Sequence, residues 1–136
     1  MAKDYKILSC LICDFAQKGQ GNKDMLIGIY ADVILISELP ARMPLAVWVQ
    51  LKPINLKKAS INLEILSPQD KSIITMSGEL ILTEDNIIGL PFQIPLMSFP
   101  EEGVYKIKFG LNSSQEIIKK FSVIKNESSE ISTFNI

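Results

Sequence analysis

The 136-residue sequence contains no histidine, a single arginine (Arg42), two cysteines and one tryptophan. Each shortage excludes something. Without imidazole there is no Ser–His or Cys–His nucleophile pair and no histidine acid/base, and most transition-metal sites lose their commonest ligand. Arginine is the side chain best shaped to grip phosphate and base edges, and it is nearly absent. The net charge is -1, from 14 basic and 15 acidic residues. Nucleic acid and anionic membrane surfaces both call for a basic excess, so neither is expected as a partner. Long apolar runs are missing too. The longest, Met25 to Ile36, is interrupted by Gly28 and Asp32 and is too short to span a bilayer. The opening Met-Ala-Lys-Asp-Tyr-Lys leads into no apolar stretch of signal-peptide length, which predicts a cytoplasmic protein.

What remains is 47% hydrophobic and 21% charged, the balance of a globular chain with one core. A chain this long buries roughly two-thirds of its unfolded surface and can stand without disulfide or metal staples. We expect a single domain over residues 1–125 and a polar, loose tail over 126–136.

Helical periodicity is almost absent, whereas period-2 alternation recurs between clusters of Pro, Gly, Asn and Asp. The strands read as Tyr5–Phe15, Met25–Ile36, Leu45–Lys52, Ala59–Leu66, Ser72–Leu82 (with a break near Gly78), Leu90–Met97, Val104–Leu111 and Gln115–Lys125. Leu45, Val47, Val49 and Leu51 share one face, as do Ile61, Leu63 and Ile65. Eight or nine short strands spaced by turns predict an all-β, immunoglobulin-like antiparallel β-sandwich.

Two segments refine this expectation. In Leu90-Pro-Phe-Gln-Ile-Pro-Leu96, Pro91 and Pro95 have the same parity, so both missing N–H groups fall on one side of the strand. Only an edge strand accepts that, and the prolines then block pairing with another sheet. Leu90, Phe92, Ile94 and Leu96 are expected to face the core. In Pro100-Glu-Glu-Gly-Val-Tyr105, a tyrosine follows a glycine-containing corner at the start of the penultimate strand. That placement resembles the tyrosine corner of immunoglobulin-like sandwiches, where the phenol bonds back to upstream backbone. Tyr105, Ile107, Phe109 and Leu111 would line the core, answered by Ile117, Phe121 and Val123. Lys106 and Lys108 would face water.

Little in the sequence suggests chemistry. Cys10 and Cys13 form a C-x-x-C, but zinc needs four ligands and a redox pair needs a helix N-terminus. Inside a strand, residues three apart point to opposite faces, so the two thiols read as small buried apolar groups. No metal site and no cofactor is expected. The acidic pairs Glu84-Asp85 and Glu101-Glu102 flank one strand, at opposite ends of the sandwich, and cannot share an ion. Gly19-Gln-Gly21 reads as a hairpin loop and not a phosphate cradle. Lys57-Lys58 and Lys119-Lys120 lack interleaved aromatics and read as solvated. The candidate binding surface is Trp48, outward-facing beside Gln50, together with Tyr30. A covering strand or loop of the same chain is the competing reading for Trp48. Met25–Ile36, apolar on both faces, is either central in the fold or meets another chain.

Cys10-Leu-Ile-Cys-Asp14, Leu26-Ile-Gly-Ile-Tyr30, Asp32, the strand through Trp48, the turn after Leu66 and Gly103-Val-Tyr105 together resemble a family of small uncharacterised bacterial proteins over residues 5–124. The resemblance implies an immunoglobulin-like sandwich and carries no functional residues with it. The expected function is a non-catalytic protein-interaction or structural module, as a homo-oligomer or with a protein partner. The alternative is a small-ligand or carbohydrate-binding module using Trp48 or Tyr30.

Overall fold

The computed structural model describes residues 4–21, 23–82 and 86–126. Glu84-Asp85 and the tail at 127–136 lie outside them. The described residues form strands and turns only: β1 (Tyr5–Lys18), β2 (Asp24–Ile29), β3 (Val33–Ile36), β4 (Ala41–Pro53), β5 (Lys58–Leu66), β6 (Ser72–Ile81), β7 (Ile88–Phe99), β8 (Gly103–Leu111) and β9 (Glu116–Lys125). They build two packed sheets, ordered β2-β1-β4-β7 and β3-β9-β8-β5-β6. All pairs are antiparallel except β3, which runs parallel to β9. The arrangement β1-β4-β7 against β9-β8-β5-β6 matches strands A-B-E against G-F-C-C′ of an immunoglobulin-like sandwich. The all-β, two-sheet expectation holds.

The core follows from alternation. Leu45, Val47, Val49 and Leu51 of β4 are fully buried, and so are Leu63, Ile65, Tyr105, Ile107 and Phe109 of the opposite sheet. Burial of each such side chain is worth about 1.5–3 kcal/mol. At one end of the sandwich an aromatic group closes the core. Tyr105 stacks on Phe121 with centroids 5.5 Å apart, and Phe99 meets Tyr105 edge-on. The Tyr105 phenol donates to the Glu101 carbonyl at 2.6 Å and accepts from the Glu101 N–H at 3.3 Å. The corner before it needs Gly103, whose φ is 135° and whose missing Cβ would sit 2.7 Å from Pro68 Cγ.

Four expectations are corrected. Met25–Ile36 is not one strand. It divides at Tyr30–Asp32 into β2 of one sheet and β3 of the other. Asp32 takes a left-handed φ of 63° and its carbonyl accepts from Ser122 on β9, which turns the chain across to the second sheet. Leu96 is exposed, not core. The register steps from Leu45↔Ile94 to Met43↔Met97, so β7 carries one extra residue at Pro95–Leu96, and this bulge flips the parity. Met97 and Phe99 go inside instead. Ile117 is exposed because it pairs with Lys108, which lies on the outer face beyond a second register shift. Finally, β6 runs unbroken through Gly78.

Candidate functional site

The second half of β1 does not stay beside β4. Pairing with β4 ends at Cys13↔Ala46, and from Cys13 to Lys18 the strand pairs with β2 alone. The β1–β2 hairpin is closed by Gly19 N–H donating to Lys23 O at 2.8 Å. It bends as an arm onto the outer face of its own sheet. Gln93 on β7 clamps it from below: Oε1 accepts from Ala16 N–H at 3.1 Å, and Nε2 lies 3.4 Å from both Asp14 O and Leu45 O. Cys13, Ala16 and Ala46 form a small buried cluster with Leu26 beneath the arm, separate from the main core.

Trp48 lies under this arm. Its position on β4 turns it outward, as the alternation of Val47 and Val49 requires, but Asp24 of β2 reaches over it. The indole N–H donates to Asp24 Oδ2 at 2.8 Å, and Lys18 Nζ pairs with Asp24 Oδ1 at 3.1 Å. Gly89 on β7 makes room, since a Cβ there would strike Asp24 Oδ2 and Trp48 Nε1. Trp48 is therefore half-buried, covered by a hairpin of its own chain. Gln50 is half-buried two residues further along the same strand face.

Tyr30 ends β2. Its N–H donates to Ile12 O at 2.9 Å, its ring packs against the main core, and its phenol donates to Asp14 Oδ1 at 2.5 Å. Burial, then the bond to Asp14, pushes the phenol up to about 12. Gly28, at φ 70°, leaves the space that Asp14 occupies. Thus Trp48, Gln50 and Tyr30 do not converge on one cavity. Trp48 and Gln50 lie on the outer face of the sheet, and Tyr30 sits at the junction of β2 and β3.

The cysteines are split as strand geometry demands. Cys10 packs against the main core and Cys13 lies in the outer cluster. Both thiols are free. Burial pushes Cys10 up to about 12, with nearby Lys119 opposing the rise. Burial also raises Cys13. Neither thiol is tuned toward a thiolate nucleophile. Lys119 departs from the solvated reading. It is mostly covered and pairs with Asp32 Oδ1 at 2.8 Å. Among the described residues, no group of three or more His, Cys, Asp or Glu could hold a metal ion, and no helix is long and apolar enough to cross a membrane.

A further surface feature lies outside the individual candidate residues. On β2, Met25, Ile27 and Ile29 are exposed, and Phe15 joins them as the cross-strand partner of Ile27. On β3, Val33 and Leu35 are exposed beside Ile124 of β9 and Val104 of β8. β2 and β3 are edge strands of different sheets and are consecutive in the chain. The signal was the apolarity of Met25–Ile36 on both faces. At the other ends of the two sheets lie β7, with its prolines and exposed Leu96, and β6, which exposes Thr75, Ser77, Glu79 and Ile81.

Over residues 8–124 the chain matches a family of unknown function, DUF6941. No curated protein matches it.

Proposed function

We propose, from the premise that the chain belongs to DUF6941, a family without an assigned activity, that it is a non-catalytic β-sandwich module working by contact with another protein. The contact surface is the pair of edge strands β2 and β3. One observation carries this reading: two successive edge strands expose Met25, Ile27, Ile29, Val33 and Leu35, with no proline in either strand, while the far edge strand β7 carries Pro91 and Pro95. Exposed apolar edge strands are an aggregation hazard unless something covers them, so their retention favours a partner. Edge strands commonly receive an extended segment by strand addition. Two free thiols fit a reducing compartment, so a cytoplasmic setting is part of this reading.

A ligand module built on Trp48 or Tyr30 has less support. The indole N–H and the phenol are both committed to carboxylates of the same chain. The test is capture with site-specific photo-crosslinkers at Ile27 and Leu35, against a control at Thr75. Crosslinks to protein from Ile27 or Leu35 and not from Thr75 are expected. Equal or absent crosslinking at all positions would overturn the reading.

A further inference from the structure

We infer that β3 pairs with β3 of a second copy of this chain, antiparallel about a two-fold axis at Ile34. The inference rests on the edge-strand reading above and names its occupant. Asp32 O accepts from Ser122 N–H, and Ile36 O accepts from Asn126 N–H, both on the β9 side. Backbone groups alternate sides along a strand. Val33 and Leu35 therefore aim their N–H and C=O groups at the open side of β3, where no strand lies among the described residues.

A two-fold axis at Ile34 sets Val33 of one copy opposite Leu35 of the other, and the reverse. The residues with outward-aimed backbone groups then exchange N–H···O=C bonds with each other, and none is left over within the pairing. The side chains agree with this register. Leu35 is the cross-strand partner of Ile124, and Val33 of Ser122, so one row across the joint reads Ile124, Leu35, then Val33 and Ser122 of the second copy. That row sets side by side the side chains that are exposed in one copy, Leu35 at 61%, Ile124 at 45% and Val33 at 41%. The row through Ile36 places Lys125 of one copy in line with Asp32 of the other, which in its own copy pairs with Lys119. The pairing is self-complementary and joins the two five-stranded sheets into one.

The experiment is the mass of the full chain by light scattering and sedimentation across a micromolar concentration series. It compares wild type with Leu35→Lys, Leu35→Pro and, on β7, Leu96→Lys, each checked for an unchanged β-sheet circular dichroism spectrum. Leu35→Pro removes an N–H aimed away from β9, so the donors of the β3–β9 pairing remain. The expected result is a doubling of mass with concentration for wild type and Leu96→Lys, and a single-copy mass throughout for either folded Leu35 variant. A single-copy wild type at every concentration would overturn the inference. A doubled mass that survives in a folded Leu35 variant would also overturn it. Crosslinking from Ile27 or Leu35 to a different protein, with a single-copy wild type, would leave the edge-strand reading standing and remove only the second copy.

Discussion

Removing one oxygen from Tyr105 should destabilise the sandwich out of proportion to its size. The ring is fully buried and its hydroxyl serves both the N–H and the C=O of Glu101. Tyr105→Phe keeps the stacking on Phe121 and deletes only these bonds. The expected loss is about 1–3 kcal/mol, read as a lower urea midpoint with an unchanged slope. The titratable groups give a second outcome at this scale. Cys10 is raised from 9.0 to about 12 and Tyr30 from 10.0 to about 12, burial being the largest cause for each. In both, the folded value lies above the unfolded one, so the folded state holds the proton longer. The resulting stability is fully present below about pH 9 and is lost as pH climbs toward 12. Urea midpoints measured from pH 8 upward should fall over that window, and Tyr30→Phe should flatten the part above pH 10. A thiol reagent at mildly alkaline pH should label neither cysteine faster than the chain opens.

For the single elements, the arm formed by the end of β1 and β2 should open more readily than the sandwich. It is held by a cluster of small residues, the Gln93 clamp and the Asp24–Trp48 bond, with little apolar area beneath it. Gly89→Ala would drive a Cβ into Asp24 and the indole nitrogen, and Asp24→Ala would leave the indole N–H without its acceptor. Each should weaken the arm by about 1–3 kcal/mol. Amide exchange should accelerate in β2 and in Ala16 to Lys18, while β5 and β8 stay protected, and Trp48 emission should shift to the red. Uniform acceleration across both sheets would mean that the arm is not a separate unit. The alternation of β4, β5 and β8 made their inward faces readable from the sequence, because one buried face forces a period of 2. The arm was not readable. A strand that leaves its neighbour and folds onto its own sheet keeps the same alternation, and its destination is set by contacts from Ala16 to Gln93 and from Asp24 to Trp48, which are remote in sequence. The outward position of Trp48 was legible, and cover by a strand or loop of the same chain was the competing reading that the hairpin fulfils; the bonding residue was not legible, since Asp24 looks like any charged residue at a hairpin end. The bulge at Pro95 hid for a similar reason: one inserted residue moves Leu96 out and Met97 in without changing composition.

At the scale of the whole molecule the edge strands differ: β3 carries no proline, whereas β7 carries two. Prolines are tolerated in β7 because it has a neighbour on one side only, with the missing N–H groups turned to the open side. Their value to the chain is negative: they keep that edge from acting as a template. If β3 joins a second copy, an open β7 edge would let assemblies grow from both edges, and a closed pair would become an extending array. Replacing Pro91 and Pro95 together by threonine restores both N–H donors and adds residues suited to strands. The core side of β7 is untouched, since Ile94, Met97 and Phe99 remain. The double variant should keep its circular dichroism spectrum and most of its thermal stability, yet scatter light increasingly with concentration and time. Adding Leu35→Lys to it should slow that growth, because β3 is then removed as a pairing edge. If the proline-free chain stays as soluble as wild type, the prolines serve the bulge geometry alone, and the asymmetry between β3 and β7 loses its meaning for assembly.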